Sequence, residues 1–355
     1  MPEILAKDGF RKLMTLTAGA VFALVGLILL YIGKDFFIPL VIAIFGVYLI
    51  KILSRFIGNL QLGGRRLPEW ASMGISLIII LAFSALLLSI IADNALRVID
   101  AAPRYQLKFM VLQDQIAAFF GMEQTPAWRD LMRDFSLPSL LTQIATNLAG
   151  LLRTATIIFI YGIFILIETR FIPRKIQALF PDSEQRAKAV NLLSRIDQDV
   201  QTYFGVKTLV SLATAVLSYG VMRFVGLEFA EFWALLVFIL NFIPTIGSIL
   251  ATIFPSLLGL LQFDRLAPFI ILLVGITIVQ QTLGMFIEPN LMGHALNLSP
   301  LVVVISLIVW GMIWGIAGMF LCVPLTVIIM IILANFPSTR WITVLLSKTG
   351  HFRHV

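Results

Sequence analysis

The sequence predicts an all-α polytopic membrane protein, with six to eight transmembrane helices and two broken or re-entrant helical hairpins in an inverted repeat. Three observations carry this expectation. Of the 355 residues, 59% are hydrophobic and only 13% are charged, where a soluble domain carries roughly 25% charged residues. No Asp, Glu, Lys or Arg occurs between Glu231 and Asp264, or between Glu288 and Arg340. Each stretch exceeds the roughly 20 apolar residues of a single helical crossing. Each is also interrupted, the first by Asn241, Pro244, Thr245 and Gly247, the second by Gly311, Gly315, Gly318 and Pro324. Non-helical backbone at membrane depth is tolerated only where it is buried in protein or lines a cavity.

Charge-free gaps define the other elements in order. Leu13–Gly33 is a first span, without a convincing signal cleavage site. Phe36–Ile50 is a short second span, with Lys51 placed to snorkel to the interface. Trp70–Ala92 is the third, anchored by Trp70 at the interface. The fourth runs from about Leu148 to Ile167, the fifth from Val206 to Met222, and Leu266–Ile287 separates the two interrupted stretches.

Two insertions mix acids and bases. The first, from Asn94 to about Ala149, reads as short amphipathic helices, among them Arg104–Phe120, with Thr125-Pro126 as a helix start. The second, Glu168–Gly205, opens with Asp182 and Gln185 spaced as a capping box. Val190, Leu193, Ile196, Val200 and Phe204 follow at helical intervals. Five units result: an N-terminal membrane segment (1–93), an extracytoplasmic insertion (94–149), the fourth span with a cytoplasmic amphipathic helix (150–205), a core holding both interrupted stretches (206–336) and a basic tail (337–355).

Lys and Arg mark cytoplasmic loops. They concentrate before the first span, after the second, in the second insertion and in the tail. Both termini are therefore expected in the cytoplasm. The net charge of +7 belongs to this pattern and not to nucleic-acid binding. If each interrupted stretch crosses once, there are eight spans in parallel repeats. If each is a hairpin, there are six, and the repeats are inverted, as in many secondary transporters. The length of the stretches favours hairpins.

No chemistry of bond breaking is legible. A single cysteine, Cys322, excludes an intramolecular disulfide and a cysteine metal cluster. The histidines His294, His351 and His354 lack the spacing of a metal site, and no phosphate-binding loop is present. No enzyme activity, cofactor or metal is expected. Intramembrane polar residues are the functional candidates. Asn241, Thr245 and Ser248 bracket the Pro244 break, with Gly247 beside it, and a break there frees backbone groups for a polar solute or an ion. Gln280 and Gln281 lie inside an apolar span, and Glu288, Pro289 and Asn290 end it. Against these stands the ordinary role of intramembrane amides as glue between helices. Gly311, Gly315, Gly318 and Pro324 are read as packing or hinge positions. Asp197 and Asp199, upstream of Tyr203 and Lys207, read as a charged helix face or a gate.

The runs Asn241-Phe242-Ile243-Pro244-Thr245-Ile246-Gly247-Ser248, Ile287-Glu288-Pro289-Asn290-Leu291-Met292-Gly293 and Leu298-Ser299-Pro300-Leu301 occur in that order. They are followed by Trp310-Gly311-Met312-Ile313-Trp314-Gly315-Ile316-Ala317-Gly318-Met319 and Val323-Pro324-Leu325. Together they resemble the autoinducer-2 exporter family over nearly the whole chain. The resemblance implies a permease of the bacterial cytoplasmic membrane that does not hydrolyse ATP. Its cargo would be a small polar solute such as the quorum-sensing molecule autoinducer-2. Other members with these motifs are described as sodium or lithium/proton antiporters, so a proton or sodium ion is a candidate coupling partner. The expected partners are thus the lipid bilayer, the solute, the coupling ion and further copies in a homo-oligomer. An uncoupled channel is a third reading of the same residues.

Overall fold

The computed structural model describes residues 24–59, 61–62, 65–119, 154–293, 297–336 and 338–350, together with positions 14, 17, 19 and 21. The described residues are almost entirely helical. Helical residues 24–32 (α1) meet α2 (Lys34–Asn59) at a turn. A two-residue antiparallel ribbon pairs Gln61–Leu62 with Arg65–Arg66. The long helix α3 spans Glu69–Phe119, followed by α4 (Thr154–Thr169) and the short α5 (Ile172–Leu179), bent from it by 57°. A second long helix, α6 (Ser183–Val225), leads into α7 (Ala230–Leu240), α8 (Ile246–Gln262) and α9 (Leu266–Gln281). A π-helical turn, Thr282–Ile287, joins α9 to α10 (Glu288–Met292). The chain ends with α11 (Pro300–Trp314), α12 (Ile316–Ala334) and α13 (Arg340–Leu346). Among the described residues five helices are long and apolar enough to cross a membrane, or six with the bent α4–α5 pair. This is an all-α polytopic membrane protein. Residues 13, 15, 16, 18, 20, 22 and 23 of the expected first span, 148–153 of the fourth, and Thr125-Pro126 lie outside the described residues.

Two expected boundaries are not breaks in the backbone. α3 passes through residue 94 and through Pro103 without interruption. At 1.5 Å per residue its 51 residues reach roughly 76 Å, well over twice the hydrocarbon thickness. α6 likewise fuses the amphipathic helix after Asp182 with the fifth span. A change from apolar to charged composition marks where a helix leaves one solvent for another, and helical hydrogen bonding continues across it. The Asp182 cap does form, with the Gln185 amide donating to Asp182 Oδ2 at 3.1 Å.

Both interrupted stretches fold as helical hairpins. In the first, α7 and α8 run antiparallel, with Trp233 facing Phe254 at 6.3 Å. Gln262 straps its base: the Glu228 amide donates to Gln262 Oε1 at 2.7 Å, and Gln262 Nε2 donates to the Gly226 carbonyl at 2.9 Å. In the second, α11 and α12 turn at Gly315, whose φ of +62° favours glycine. Trp310 Nε1 donates to Thr326 Oγ1 across the arms at 3.2 Å. Here the base is closed by α13, through Ser299 N to Leu346 O (3.0 Å) and Lys348 N to Asn297 O (3.1 Å). The helix from Leu266 to Met292 carries the chain from one base to the other.

Each hairpin admits only glycine just past its turn. A Cβ on Gly247 would stand 1.7 Å from the Leu240 carbonyl oxygen, and one on Gly318 1.9 Å from that of Trp310. Backbone atoms cannot swing aside, so the arms must part. Gly247→Ala and Gly318→Ala are expected to destabilise the protein by about 1–3 kcal/mol or more, measured as a fall in melting temperature in detergent. The open position Gly284, where a Cβ meets nothing within 4 Å, serves as the control.

Sidedness follows if the hairpins re-enter. In a Cys322→Ser background, a cysteine at Phe263 is expected to react with an impermeant thiol reagent added outside the cell. One at exposed Asn290 is expected to react only after permeabilisation.

Candidate functional site

The tips of the two hairpins meet inside the protein. Phe242, at the break of the first, stacks on Phe320, near the turn of the second, with ring centroids 4.6 Å apart. Phe45 of α2 sets its edge against both rings, and its ring centroid lies 3.9 Å from that of Phe204 on α6. Ile243 joins Tyr203, Leu321, Cys322 and Met292 in one buried cluster. Trp314 Nε1 donates to the Leu30 carbonyl at 2.9 Å, which ties the second turn to α1. The contact is thus aromatic and apolar at its centre.

Beside it lies a buried ion pair. Lys207 Nζ sits 2.7 Å and 2.9 Å from the two oxygens of Glu288, and the two side chains are 9% and 18% exposed. Lys207 comes from the middle of α6. Glu288 follows directly on the π-helical turn, a local overwinding that recurs at functional sites. Tyr203 is one turn from Lys207, is 3% exposed, and its hydroxyl has no hydrogen-bond partner among the described residues. Ser211, one turn to the other side, accepts from Asn241 Nδ2 at 3.0 Å. The ion pair therefore lies against the first hairpin's tip.

The sequence candidates divide here. Asn241 and Gly247 are buried at the tip, Pro244 and Ser248 are half-buried, and Thr245 is exposed. Asn241 acts as interhelical glue, and Ser248 donates to the Thr245 carbonyl at 2.9 Å. Gln280 is 8% exposed and its Nε2 finds no partner among the described residues, whereas Gln281 is exposed. Glu288 is in the pair, while Pro289 and Asn290 are exposed. Gly311 packs against Met319, Gly315 makes the turn, Gly318 allows the arms to touch, and Pro324 is buried within an unbroken α12. Lys207 is the candidate that its position in the sequence undervalued. The signal was present, since it is the only charge between Val206 and Met222, and an ionisable group in a span implies a partner.

Two polar networks flank the core. Near the start of the fifth span, Arg55 Nη1 donates to Gln201 Oε1 at 2.7 Å, and Gln201 Nε2 donates to Asp197 at 2.6 Å. At the first hairpin's base, the extension of α3 docks through Tyr105, whose hydroxyl donates to Glu228 Oε2 at 2.6 Å, and through Lys108, which donates to the Gln262 carbonyl at 3.1 Å. Burial, then the hydrogen bond and charge of Glu228, raise the Tyr105 phenol well above its ordinary value, so it remains a donor. Among the described residues no cluster of His, Cys, Asp or Glu could hold a metal ion.

An apolar helical fold with several helices long enough to span a bilayer defines a polytopic membrane protein, and its family makes it a transporter. The chain belongs to the AI-2E transporter family, whose profile, AI-2E family transporter, matches residues 20–338. It is similar to "AI-2 transport protein TqsA" of Escherichia coli (strain K12), 27% identical over 346 residues, covering 95% of this chain and 98% of that one. It is also similar to a "Putative transport protein" of Haemophilus influenzae (strain ATCC 51907 / DSM 11121 / KW20 / Rd), 28% identical over 329 residues and 90% of each chain.

Taking one partner from a buried pair leaves an uncompensated charge and costs about 3–5 kcal/mol. Lys207→Gln and Glu288→Gln are each expected to lower the melting temperature in detergent, and the double variant by less than their sum. An additive double-mutant cycle would show that the pair carries no coupling energy.

Proposed function

We propose that the protein is a secondary transporter of the bacterial inner membrane that exports a small polar solute, autoinducer-2 or a related molecule, by alternating access. The observation that carries this reading is the meeting of two hairpin tips beside Lys207 and Glu288, at the interface of two units of like design. One unit is α6 with the first hairpin, and the other is the helix 266–292 with the second. In this reading they form an inverted-topology repeat, with the solute near the bilayer midplane where the tips meet. The amides of Asn241 and Gln280 and the freed backbone at the tips suit a polyhydroxylated solute. The name of the Escherichia coli relative supports the choice of cargo.

In the same reading both termini are cytoplasmic, α3 carries residues 94–149 outside, and the chain assembles as a homo-oligomer through exposed apolar helix faces. A second reading, sodium (or lithium)/proton antiport, is favoured by one observation. The Lys207–Glu288 pair is a carboxylate held in a mostly buried site, a natural place for a coupling ion.

Purified protein in proteoliposomes under imposed proton and sodium gradients is expected to give saturable, gradient-dependent solute flux. Glu288→Gln, checked for folding by its elution profile, is expected to exchange solute down its gradient but not to accumulate it. Uphill transport by that variant at the wild-type level would remove Glu288 from the coupling step. Cation flux without solute flux would select antiport.

A further inference from the structure

The ion pair deepens the transport reading, on which this inference rests. A carboxylate bound on both oxygens by one ammonium, with little access to water, is already neutralised. A cation arriving at Glu288 meets an occupied site. If it entered while Lys207 kept its proton, the pocket would hold two cations against one carboxylate. On α6 the nearest other carboxylates, Asp199 and Asp197, lie about two to three turns before Lys207. The first hairpin carries no ionisable residue between Glu231 and Asp264. α6 presents Tyr203 and α12 presents Cys322, both in the buried cluster around the tip, and α2 presents Tyr48 against Phe204. All three are neutral in their ordinary protonation states.

The core around the first hairpin's tip also holds uncharged oxygens. The Tyr203 hydroxyl is buried without a partner. The amide hydrogen bonds of the break leave the carbonyls of Asn241 and Phe242 without an amide donor among the described residues. Carboxylate, hydroxyl and carbonyl oxygens are the hard ligand types that alkali cations take.

We infer that the Glu288 carboxylate is held alternately by the Lys207 ammonium and by a dehydrated monovalent cation, so that entry of one cation expels one proton from Lys207. The step balances. The cation replaces the ammonium at the carboxylate, and a Lys207 N–H bond breaks with its electron pair left on Nζ. The proton passes to water, and the charge of the pocket is unchanged. Lysine suits this role because its pKa shifts readily once its counter-charge is withdrawn, whereas arginine stays protonated. Lys207 is thus assigned as the proton carrier of the exchange, with Glu288 as the shared ligand.

The test is proton release in weakly buffered detergent, followed with a pH dye as sodium or lithium chloride is added against choline chloride at equal ionic strength. Wild-type protein is expected to release about one proton per chain at saturation, with an apparent sodium affinity that falls roughly tenfold per unit fall in pH. Lys207→Arg, which keeps the charge and the pairing, is expected to release none. Lys207→Gln is expected to be stabilised by sodium with no dependence on pH. No release by the wild type above the choline control would overturn the inference, and so would release by Lys207→Arg at the wild-type level. The solute reading fails separately: solute export that ignores sodium and proton gradients removes the Lys207 exchange and leaves export standing. Proton release without solute flux does the reverse.

Discussion

A peptide group that loses its helical partner in an apolar medium has no water to replace it, and the core is arranged around that constraint. Two helices of this chain end in the middle of the molecule, at Leu240 and Trp314, where each exposes unpaired backbone. Such ends are stable only when protein surrounds them. The solution is mutual burial, with each tip set against the other hairpin and α2, α6 and α1 closing the sides. Glycine at positions 247 and 318 follows from the same requirement, because the returning arm must touch the carbonyl that precedes the break.

The ion pair occupies the one region where this packing is polar. Helix ends and a π-helical turn provide dipoles and free acceptors, so charge is less costly there than elsewhere in the core. This explains why Lys207 and Glu288 come from elements distant in sequence yet share one site. Among the described residues the buried hydroxyl of Tyr203 and amide of Gln280 also find no hydrogen-bond partner. A core built for stability alone would have replaced both with apolar side chains, since an orphaned buried group costs about 1–3 kcal/mol.

Much of this architecture was legible in the sequence. Missing charges located both hairpins, and Pro244 and Gly315 fall within their turns, because those features report directly on backbone hydrogen bonding. The span and insertion bounds read near 94 and 205 fall inside continuous helices, because charge reports solvent and not backbone. The pairing of Lys207 with Glu288 was hidden for a different reason. It is a contact across 81 positions, and no local pattern records which helix face α6 turns toward the end of α9. Gln280 and Gln281 show the same limit: adjacent amides look alike in sequence, yet one is buried and the other is not.

The hairpins are fastened differently at their two ends. Their bases are tied by directional bonds, through Gln262 in one and through α13 in the other. Their tips touch through the rings of Phe45, Phe204, Phe242 and Phe320. The same level also holds directional bonds, from Trp314 to Leu30, from Asn241 to Ser211 and from Lys207 to Glu288. Sliding of one hairpin's tip over the other therefore has to re-aim the Lys207–Glu288 pair, which links α6 to the helix 266–292.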